Sequence, residues 1–338
     1  DPATPGDGIY SSCEYQVNGL PTAGKGLFNA SYLDVDNDNV PDENDKVCGD
    51  LPSLVHEKDL ISITPTGTNT YQVQYSISVH NNGGIASIYD LQDAPDFDDD
   101  IQIISALYLT NAPGILGGTL PGNGPWDLAV DQSIAIGGIH SYLLIIDVRM
   151  DLRSDPLVGD GIYNACGESN NGDPIGGEGL YNQSKLDKDN DGNWDEYREA
   201  CGDLPFIEHY KTVLSEPVSL FNGNYQVTYE IEVKNMGGAT GVYSLVDEPV
   251  FDDDISIVSV NYTSLDGGQT GNILNPLSGS WTLANAHAIT AKPTVHTYYV
   301  TVEISLDLQD EFGDNNYTYC GESSEVAKAG EGLFNRSR

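Results

Sequence analysis

Polar and apolar residues alternate in short runs along most of this chain, and the runs end at turns rich in glycine, asparagine or proline. Gln72–Val79 alternates strictly and stops at Asn81-Asn82-Gly83-Gly84. Gln226–Val233 alternates in the same way and stops at Asn235-Met236-Gly237-Gly238. A period of two turns one row of side chains toward a core and the other toward water, which is the pattern of a half-buried β-strand.

Three further segments have a looser alternation, and no segment has a convincing helical period. They are Ile101–Leu109, Ser141–Val148 and Tyr298–Ile304. Short strands separated by turn residues predict an all-β chain folded as antiparallel β-sandwiches with one face of each sheet in water. Trp126 and Trp281 fall at matching places, and we predict that both anchor a core rather than bind a ligand.

The chain repeats itself with a period of about 153 residues. Gly6–Tyr10 reappears as Gly159–Tyr163, and Cys-Gly-Asp-Leu-Pro begins at Cys48 and again at Cys201. Gly-x-Gly-Leu-(Phe/Tyr)-Asn-x-Ser occurs three times. Repeats of this length indicate consecutive domains rather than a solenoid. The predicted domains are the C-terminal part of a preceding repeat with an acidic loop (1–50), a complete repeat with its acidic loop (51–203), and a next repeat that stops before its acidic loop (204–338).

Two acidic loops occupy the same place in the repeat. Each has aspartates at positions 1, 3, 5 and 9 of a calcium loop, and position 7 offers a backbone carbonyl. Such carboxylates repel one another unless a cation lies between them. The sequence therefore predicts two Ca²⁺ sites, with a solvated acidic loop as the alternative; their residues are Asp34, Asp36, Asp38, Val40 and Asp42 in the first loop, and Asp187, Asp189, Asp191, Asn193 and Asp195 in the second.

Both loops depart from the EF-hand pattern. Position 6 is Asn39 in the first loop and Gly192 in the second, and both residue types tolerate a left-handed backbone. Position 12 is Asp45 in the first loop but Arg198 in the second, where we expect Glu196 to serve instead. Without a preceding amphipathic helix, the pattern resembles the calcium loops of thrombospondin type-3 repeats and dockerins. This resemblance implies structural calcium.

The strongly negative net charge disfavours two classes of partner. The 338 residues include 14 basic and 52 acidic side chains, which gives a net charge of −38. Such a chain repels nucleic acid and anionic lipid, so we predict neither as a partner. No apolar run reaches the length of a membrane span, and we expect no direct membrane insertion.

The five cysteines keep the register of the repeat. Cys13 and Cys48 lie 35 residues apart, and so do Cys166 and Cys201. We predict two disulfides, each closing one calcium loop, and a chain from an oxidising space outside the cytosol. A partner for Cys320 at the same spacing would lie beyond the last residue, which we interpret as truncation of the third repeat.

Over residues 52–338 the motifs together resemble a known domain type. They are a lysine, the Tyr-x-Val-x-Tyr-x-Ile-x-Val strand, Asn-x-Gly-Gly, Tyr-x-Leu-x-Asp-x-Pro and a final Gly-Leu-(Phe/Tyr)-Asn strand. This set resembles the Ig-like repeat domain of giant bacterial surface adhesins and fimbrial proteins. The resemblance implies a non-enzymatic, extracellular segment of an adhesin stalk or surface filament, with neighbouring repeats as its partners.

Relatives of that kind join their first and last strands by a Lys–Asn isopeptide bond, aided by a buried carboxylic acid. Two sets of residues stand in the required order: Lys58, Asp93 and Asn182, then Lys211, Asp247 and Asn335. Asn29 matches the same position in the preceding repeat. The alternative is a strand-edge lysine whose ammonium group reaches water, with an asparagine that only ends a strand.

The remaining polar motifs give weaker predictions. We expect Asp98–Asp100 and Asp252–Asp254 to be solvated strand-end turns, with a further cation site as the alternative. The histidines lack metal-binding spacing and are predicted to be strand residues.

The sequence contains no nucleophile elbow, phosphate loop or catalytic zinc motif, so we predict that the protein is not an enzyme. A calcium-dependent module that binds glycans or proteins is the alternative function, indicated only by Trp194 and Tyr197 beside the second loop.

Overall fold

The computed structural model describes residues 13–150, 163–167, 169, 172–273, 279–307, 317–318, 320, 322–323 and 326–338. Within these ranges every regular element is a β-strand, and all the pairings between strands are antiparallel. The prediction of an all-β fold of antiparallel sheets is confirmed. No helix in this part of the chain has the length and apolarity needed to cross a membrane.

The described strands are β1 (Asn29–Leu33), β2 (Glu43–Val47), β3 (Leu54–Gly67), β4 (Thr70–Asn81), β5 (Ser87–Pro95), β6 (Ile101–Thr110), β7 (Gly118–Leu120), β8 (Trp126–Ile134), β9 (Ile139–Met150), β10 (Asn182–Asp187), β11 (Glu196–Ala200), β12 (Ile207–Ser219), β13 (Asn224–Asn235), β14 (Gly241–Pro249), β15 (Ile255–Leu265), β16 (Gly271–Asn272), β17 (Trp281–Ile289), β18 (Thr294–Leu306), β19 (Glu322–Ser323), β20 (Val326–Ala327) and β21 (Asn335–Ser337).

The chain divides into two compact units, Asp1–Gly202 and Asp203–Arg338. The first unit contains the hairpin β1-β2, a five-stranded sheet β3-β4-β9-β6-β7 and a four-stranded sheet β11-β10-β5-β8. The second unit repeats this plan with the sheets β12-β13-β18-β15-β16 and β17-β14-β21, and the short hairpin β19-β20 lies apart from them. Apart from β11, which has no counterpart among the described residues of the second unit, corresponding strands pair in the same order, and this is the structural counterpart of the sequence repeat.

Each core lies between the two sheets of its unit. Along β4 the side chains of Tyr71, Val73, Tyr75, Ile77 and Val79 are buried, and the residues between them are partly exposed. In the second unit one cluster joins both sheets, with Val227 and Val300 from one and Leu245 from the other. The five predicted strands all lie inside observed strands. Trp126 and Trp281 are buried, as predicted.

Each Asn-x-Gly-Gly turn ends its strand through hydrogen bonds of the asparagine side chain and a close backbone approach at the first glycine. The Asn81 side chain donates to the Ile85 carbonyl oxygen at 2.8 Å and accepts from the Gly83 backbone N–H at 3.0 Å. A Cβ atom on Gly83 would lie 2.4 Å from the Leu51 carbonyl oxygen, so only glycine allows this approach. Asn235 and Gly237 repeat the arrangement in the second unit.

Candidate functional site

Lys58, Asp93 and Asn182 meet inside the first sandwich. Lys58 comes from β3, Asp93 from β5 and Asn182 from β10. The ammonium nitrogen of Lys58 contacts one carboxylate oxygen of Asp93, and the Asn182 amide nitrogen donates to the other at 3.0 Å. The side chains of Lys58 and Asp93 have no solvent exposure. Three residues that are far apart in the sequence thus form one enclosed polar cluster.

Strand phase explains how the three side chains converge. Leu54, His56 and Lys58 occupy alternate positions of β3, and all three are buried. On the facing sheet, β10 pairs with β5 so that Ser184 lies opposite Asp93 and Asn182 lies one pair further along, opposite Pro95. Asp93 and Asn182 are therefore diagonal neighbours on one face, within reach of each other's side chains.

The second unit builds the same cluster. Lys211 of β12 contacts Asp247 of β14, and the Asn335 amide nitrogen of β21 donates to the other Asp247 oxygen at 3.0 Å. The Asp247 side chain is fully enclosed, and the Lys211 side chain is 11% exposed. The structure thus brings together both sets of residues that the sequence singles out. The alternative of a solvated strand-edge lysine does not describe Lys58.

Burial favours the uncharged form of both lysines and of Asp247. Burial lowers the pKa of Lys58 and of Lys211, although the aspartate beside each lysine acts in the opposite direction. Burial also raises the pKa of Asp247, against the effect of Lys211. A neutral amine is the nucleophilic form of lysine, and a protonated carboxyl is a proton donor.

The side-chain nitrogen of each cluster lysine lies over the ring of a tyrosine that the sequence did not indicate as part of the cluster. The Lys58 nitrogen lies 5.4 Å from the ring centroid of Tyr75, and the Lys211 nitrogen lies 4.9 Å from that of Tyr229. The Tyr75 hydroxyl donates to the Leu180 carbonyl oxygen at 2.6 Å, which ties β4 to the segment before β10. The recurring Tyr-x-Ile-x-Val pattern marks these tyrosines as strand residues but does not reveal this contact.

The side-chain carbonyl oxygen of each cluster asparagine has no hydrogen-bond partner in the described part of the chain. Asn182 Oδ1 and Asn335 Oδ1 are both buried without a hydrogen bond among the described residues. A buried amide oxygen without a donor is rare, since desolvation of the group goes uncompensated. The carbon that bears this oxygen is the one that a lysine amine would attack in forming an isopeptide bond.

The first acidic loop gathers three carboxylates. One oxygen from each of Asp34, Asp36 and Asp38 lies within 4.8 Å of the others. Asp42 stands apart and accepts from the Val35 backbone N–H at 2.8 Å, and Asp45 lies in β2 and accepts from the Lys46 backbone N–H. Three grouped carboxylates are a partial ligand set for a hard divalent cation.

The backbone of this loop has the curvature that the sequence predicts. Asn39 has a φ of 68° and Gly192, its counterpart in the second loop, has a φ of 87°. The first aspartate of each loop accepts the N–H group of this residue at 2.8 Å. In the left-handed region only glycine and asparagine are readily accommodated, which explains both residue types at position 6.

The second loop gathers Asp187, Asp189 and Asp195 within the same 4.8 Å. Desolvation and the neighbouring charges of Asp191 and Asp195 raise the pKa of Asp189. Asp191 instead accepts from the Asn193 backbone N–H at 2.8 Å. The three grouped side chains fit Ca²⁺ by donor type, because all offer hard oxygen atoms.

Glu196 does not take the place that the sequence analysis gives it. Its carboxylate contacts Lys188 and Arg198 and lies outside the grouped aspartates. It also lies 3.5 Å from Nδ1 of the fully buried His56. The expectation that Glu196 replaces the ligand missing at position 12 is therefore not supported, because two cations already engage its oxygens.

The structure joins Cys13 to Cys48 and Cys166 to Cys201, each pair 35 residues apart. Each bond encloses one acidic loop, which is the arrangement that the sequence predicts. Cys320 has an exposed free thiol. The disulfides agree with an oxidising location.

The aspartate triplets at the starts of β6 and β15 differ from the expectation. Asp98 and Asp100 are 5% and 3% exposed, and Asp252 and Asp254 are 5% and 1% exposed. Only the middle residue of each triplet faces water. The prediction of solvated turns is wrong because the chain crosses here from one sheet to the other and turns two of the three side chains inward.

Comparisons with known proteins give distant structural likenesses. No protein-family model and no curated protein matches this chain. The solved structure BspA_C_WT has 10% identity and a TM-score of 0.34, over 74% of this chain and 91% of that one. A biofilm-associated protein BSP domain has 10% identity and a TM-score of 0.21, over 76% of this chain and 50% of that one.

An inactive variant of the GH20 exo-β-N-acetylglucosaminidase of Vibrio harveyi has 11% identity and a TM-score of 0.20, over 63% of this chain and 24% of that one. All these TM-scores are below 0.5, so the fold is assigned from the sheets of this chain itself.

Proposed function

We propose that this chain is a structural repeat segment of a long extracellular bacterial surface protein, an adhesin stalk or surface filament. Its repeats are stiffened by disulfides, by Ca²⁺ in the acidic loops and by Lys–Asn isopeptide bonds between the first and last strands of each sandwich. The observation that carries the proposal is the enclosed Lys–Asp–Asn cluster, built twice from matching strands. A cluster of this kind serves cohesion of the fold rather than turnover of a substrate.

The bond follows from the groups in contact. The neutral amine of Lys58 attacks the side-chain carbonyl carbon of Asn182, and a bond forms between Nζ and that carbon. The Asp93 carboxylate takes up the amine proton on one oxygen and passes a proton to the amide nitrogen, which leaves as ammonia as the carbonyl re-forms. The contacts of Asp93 with both the attacking and the leaving nitrogen support this proposed role. Lys211, Asp247 and Asn335 would react alike.

The acidic loops supply the second reinforcement. Asp34, Asp36 and Asp38 would hold one ion, and Asp187, Asp189 and Asp195 the other. Calcium, when bound, neutralises carboxylates that otherwise repel each other across a few ångströms. Because each loop lies inside a disulfide-closed stretch, ion binding would fix the end of a repeat. Neighbouring repeats of the same chain or filament are the proposed partners.

Intact mass under non-reducing conditions tests the cross-links. Each isopeptide bond removes one ammonia, about 17 Da, and each disulfide removes two hydrogens, about 2 Da. We expect the wild-type chain to lack two ammonias, and the Asp93→Asn/Asp247→Asn variant to keep both because its clusters have no proton shuttle. A wild-type mass that retains both ammonias would contradict the isopeptide proposal.

One observation favours the alternative function, a calcium-dependent module that binds glycans or proteins. A surface pocket beside the second loop is lined by Leu51, Pro52 and Leu54 together with Lys188, Asp189 and Asp195. Tyr197 nearby is exposed. If this alternative holds, a glycan array should show binding that disappears on chelation with EDTA.

A further inference from the structure

Each sandwich carries three consecutive aspartates where the chain passes from one sheet to the other. In the second unit they are Asp252, Asp253 and Asp254, between β14 and β15. One oxygen from each carboxylate lies within 4.8 Å of the others. In the first unit Asp98–Asp100 holds the same place between β5 and β6, with the same grouping and the same order of buried, exposed and buried side chains.

Backbone contacts fix the second triplet in this shape. The Asp252 N–H donates to the Gly332 carbonyl oxygen at 2.9 Å, and the Asp254 carbonyl oxygen accepts from the Asp307 N–H at 2.9 Å. One Asp252 oxygen accepts from the Asp254 N–H at 3.0 Å. The backbone of the triplet is therefore tied to two other segments of the unit, and the Asp252 side chain is also held by the N–H group of Asp254.

One carboxylate oxygen of Asp254 receives no hydrogen bond from any residue that the structure describes. The residue is 1% exposed, and its Oδ2 is buried without a hydrogen bond among the described residues. In the same part of the chain, no lysine, arginine or histidine forms an ion pair with Asp252 or Asp254. Burying a carboxylate without a counter-charge is unfavourable, and a second carboxylate beside it makes it more so.

We propose that Asp252, Asp253 and Asp254 form a cation site, separate from the acidic loops, that takes Ca²⁺, and that Asp98–Asp100 forms its counterpart in the first unit. Carboxylate oxygens are the ligands that this hard ion prefers, and its tolerance of varied geometry suits ligands from consecutive residues with water completing the shell. The exposed middle aspartate gives the ion a path from solvent. The bound ion would lie where the chain passes from the sheet that contains β14 to the sheet that contains β15.

The test removes the acidic loops first, so that the two kinds of site are distinguished. In a chain with Asp34→Asn, Asp36→Asn, Asp187→Asn and Asp189→Asn, native mass spectrometry with calcium acetate should still show two bound Ca²⁺ ions. Adding Asp254→Asn should leave one, and adding Asp100→Asn as well should leave none. Asp59→Asn, an exposed aspartate on β3, is the matched control and should change nothing.

A chain without loop ligands that binds no Ca²⁺ would overturn the inference, even if the wild type still binds two ions in its loops. Retention of both ions by the Asp100→Asn/Asp254→Asn variant would overturn it as well. Thermal unfolding gives an independent measurement: with EDTA, Asp254→Asn should melt at a higher temperature than the wild type, because a buried charge is removed. With added Ca²⁺ the order should reverse; an unchanged order would contradict the site.

Discussion

The side chain of Asn182 donates a hydrogen bond to Asp93 at 3.0 Å, although 89 residues separate the two in the sequence. Asn335 and Asp247 repeat the relationship at the same distance, 88 residues apart. In each case the second carboxylate oxygen is in contact with a lysine from the first strand of the sandwich. The last strand of each sandwich is thus fastened to the first through one buried acid, and the following predictions begin from that cluster.

Lys58→Met should remove the cross-link of the first unit while keeping the size and apolar stem of the side chain. We expect the intact mass to show one retained ammonia, and the free energy of unfolding to fall by roughly 4 kcal/mol, the size expected for opening a long covalent loop. Thermal and urea unfolding measure the second effect. Lys292→Met, at a lysine that is 51% exposed, is the control. Equal stability of the two variants would contradict the cross-link.

Tyr75→Phe should destabilise the first sandwich without altering the mass shift. The Leu180 carbonyl oxygen would lose a donor at 2.6 Å in a buried position, which costs about 1 to 3 kcal/mol. Urea denaturation measures the change. Tyr210→Phe removes an exposed hydroxyl that donates to Glu208 and should cost less than about 1 kcal/mol. The reverse order of the two effects would argue against the buried contact.

His56 should make the protein less stable as the pH falls. Desolvation lowers the pKa of His56 from its ordinary 6.5 to about 4, although the charge of Glu196 acts in the opposite direction. Between these values the unfolded chain binds a proton that the folded chain does not bind. Stability from this group is therefore complete above about pH 6.5 and declines by roughly 3 kcal/mol toward pH 4.

Urea unfolding of wild type and His56→Gln at several pH values isolates this effect. The difference in their unfolding free energies should shrink between pH 6.5 and pH 4. His209→Gln, at the exposed counterpart in β12, is the matched control. Parallel pH profiles for wild type and His56→Gln would contradict the prediction.

The two acidic groups at the ends of the second loop should differ in their effect on calcium. Asp187→Asn should weaken Ca²⁺ binding at this loop by about tenfold or more, because a grouped carboxylate is lost. Glu196→Gln should leave the affinity nearly unchanged, since Lys188 and Arg198 hold that side chain. Isothermal titration calorimetry of both variants measures this, and equal losses would return Glu196 to the ligand set.

Gly83→Ala should be strongly destabilising, because its Cβ would lie 2.4 Å from both the Leu51 carbonyl oxygen and the Ser53 nitrogen. We expect a loss of about 2 kcal/mol or more, typical of forced backbone displacement. Gly118→Ala is the matched control, since its Cβ would meet only the Leu116 carbonyl oxygen, at 4.0 Å. Thermal unfolding compares the two, and a Gly83→Ala melting temperature equal to that of the control would refute the close approach.

The sequence alone was enough to predict the five strands and to identify the residues of the two lysine clusters. Alternation of side chains reports which face of a strand is buried, and Lys58 falls in phase with Leu54 and His56. That phase is the signal that the lysine points inward. The internal repeat then supplies the same inference independently at Lys211.

The sequence was insufficient where distant segments decide the environment. Three consecutive aspartates have the composition of a surface turn, yet the Gly179 and Gly332 carbonyl oxygens receive the N–H groups of Asp98 and Asp252 and hold the triplets inside. Glu196 likewise looks like a calcium ligand until its neighbours in space are known. Composition describes the side chains that a segment carries, whereas chain topology decides which of them meet water.

The placement of the two lysine clusters has a mechanical consequence. Lys58 lies near the beginning of its sandwich, and Asn182 lies in the strand that leads out of it. With a covalent bond between them, tension applied along the chain passes from β3 directly into β10 and bypasses the hydrogen-bonded strands β4 to β9. The sandwich then resists extension through covalent bonds. Its length under tension no longer depends on whether the hydrogen bonds between its strands break.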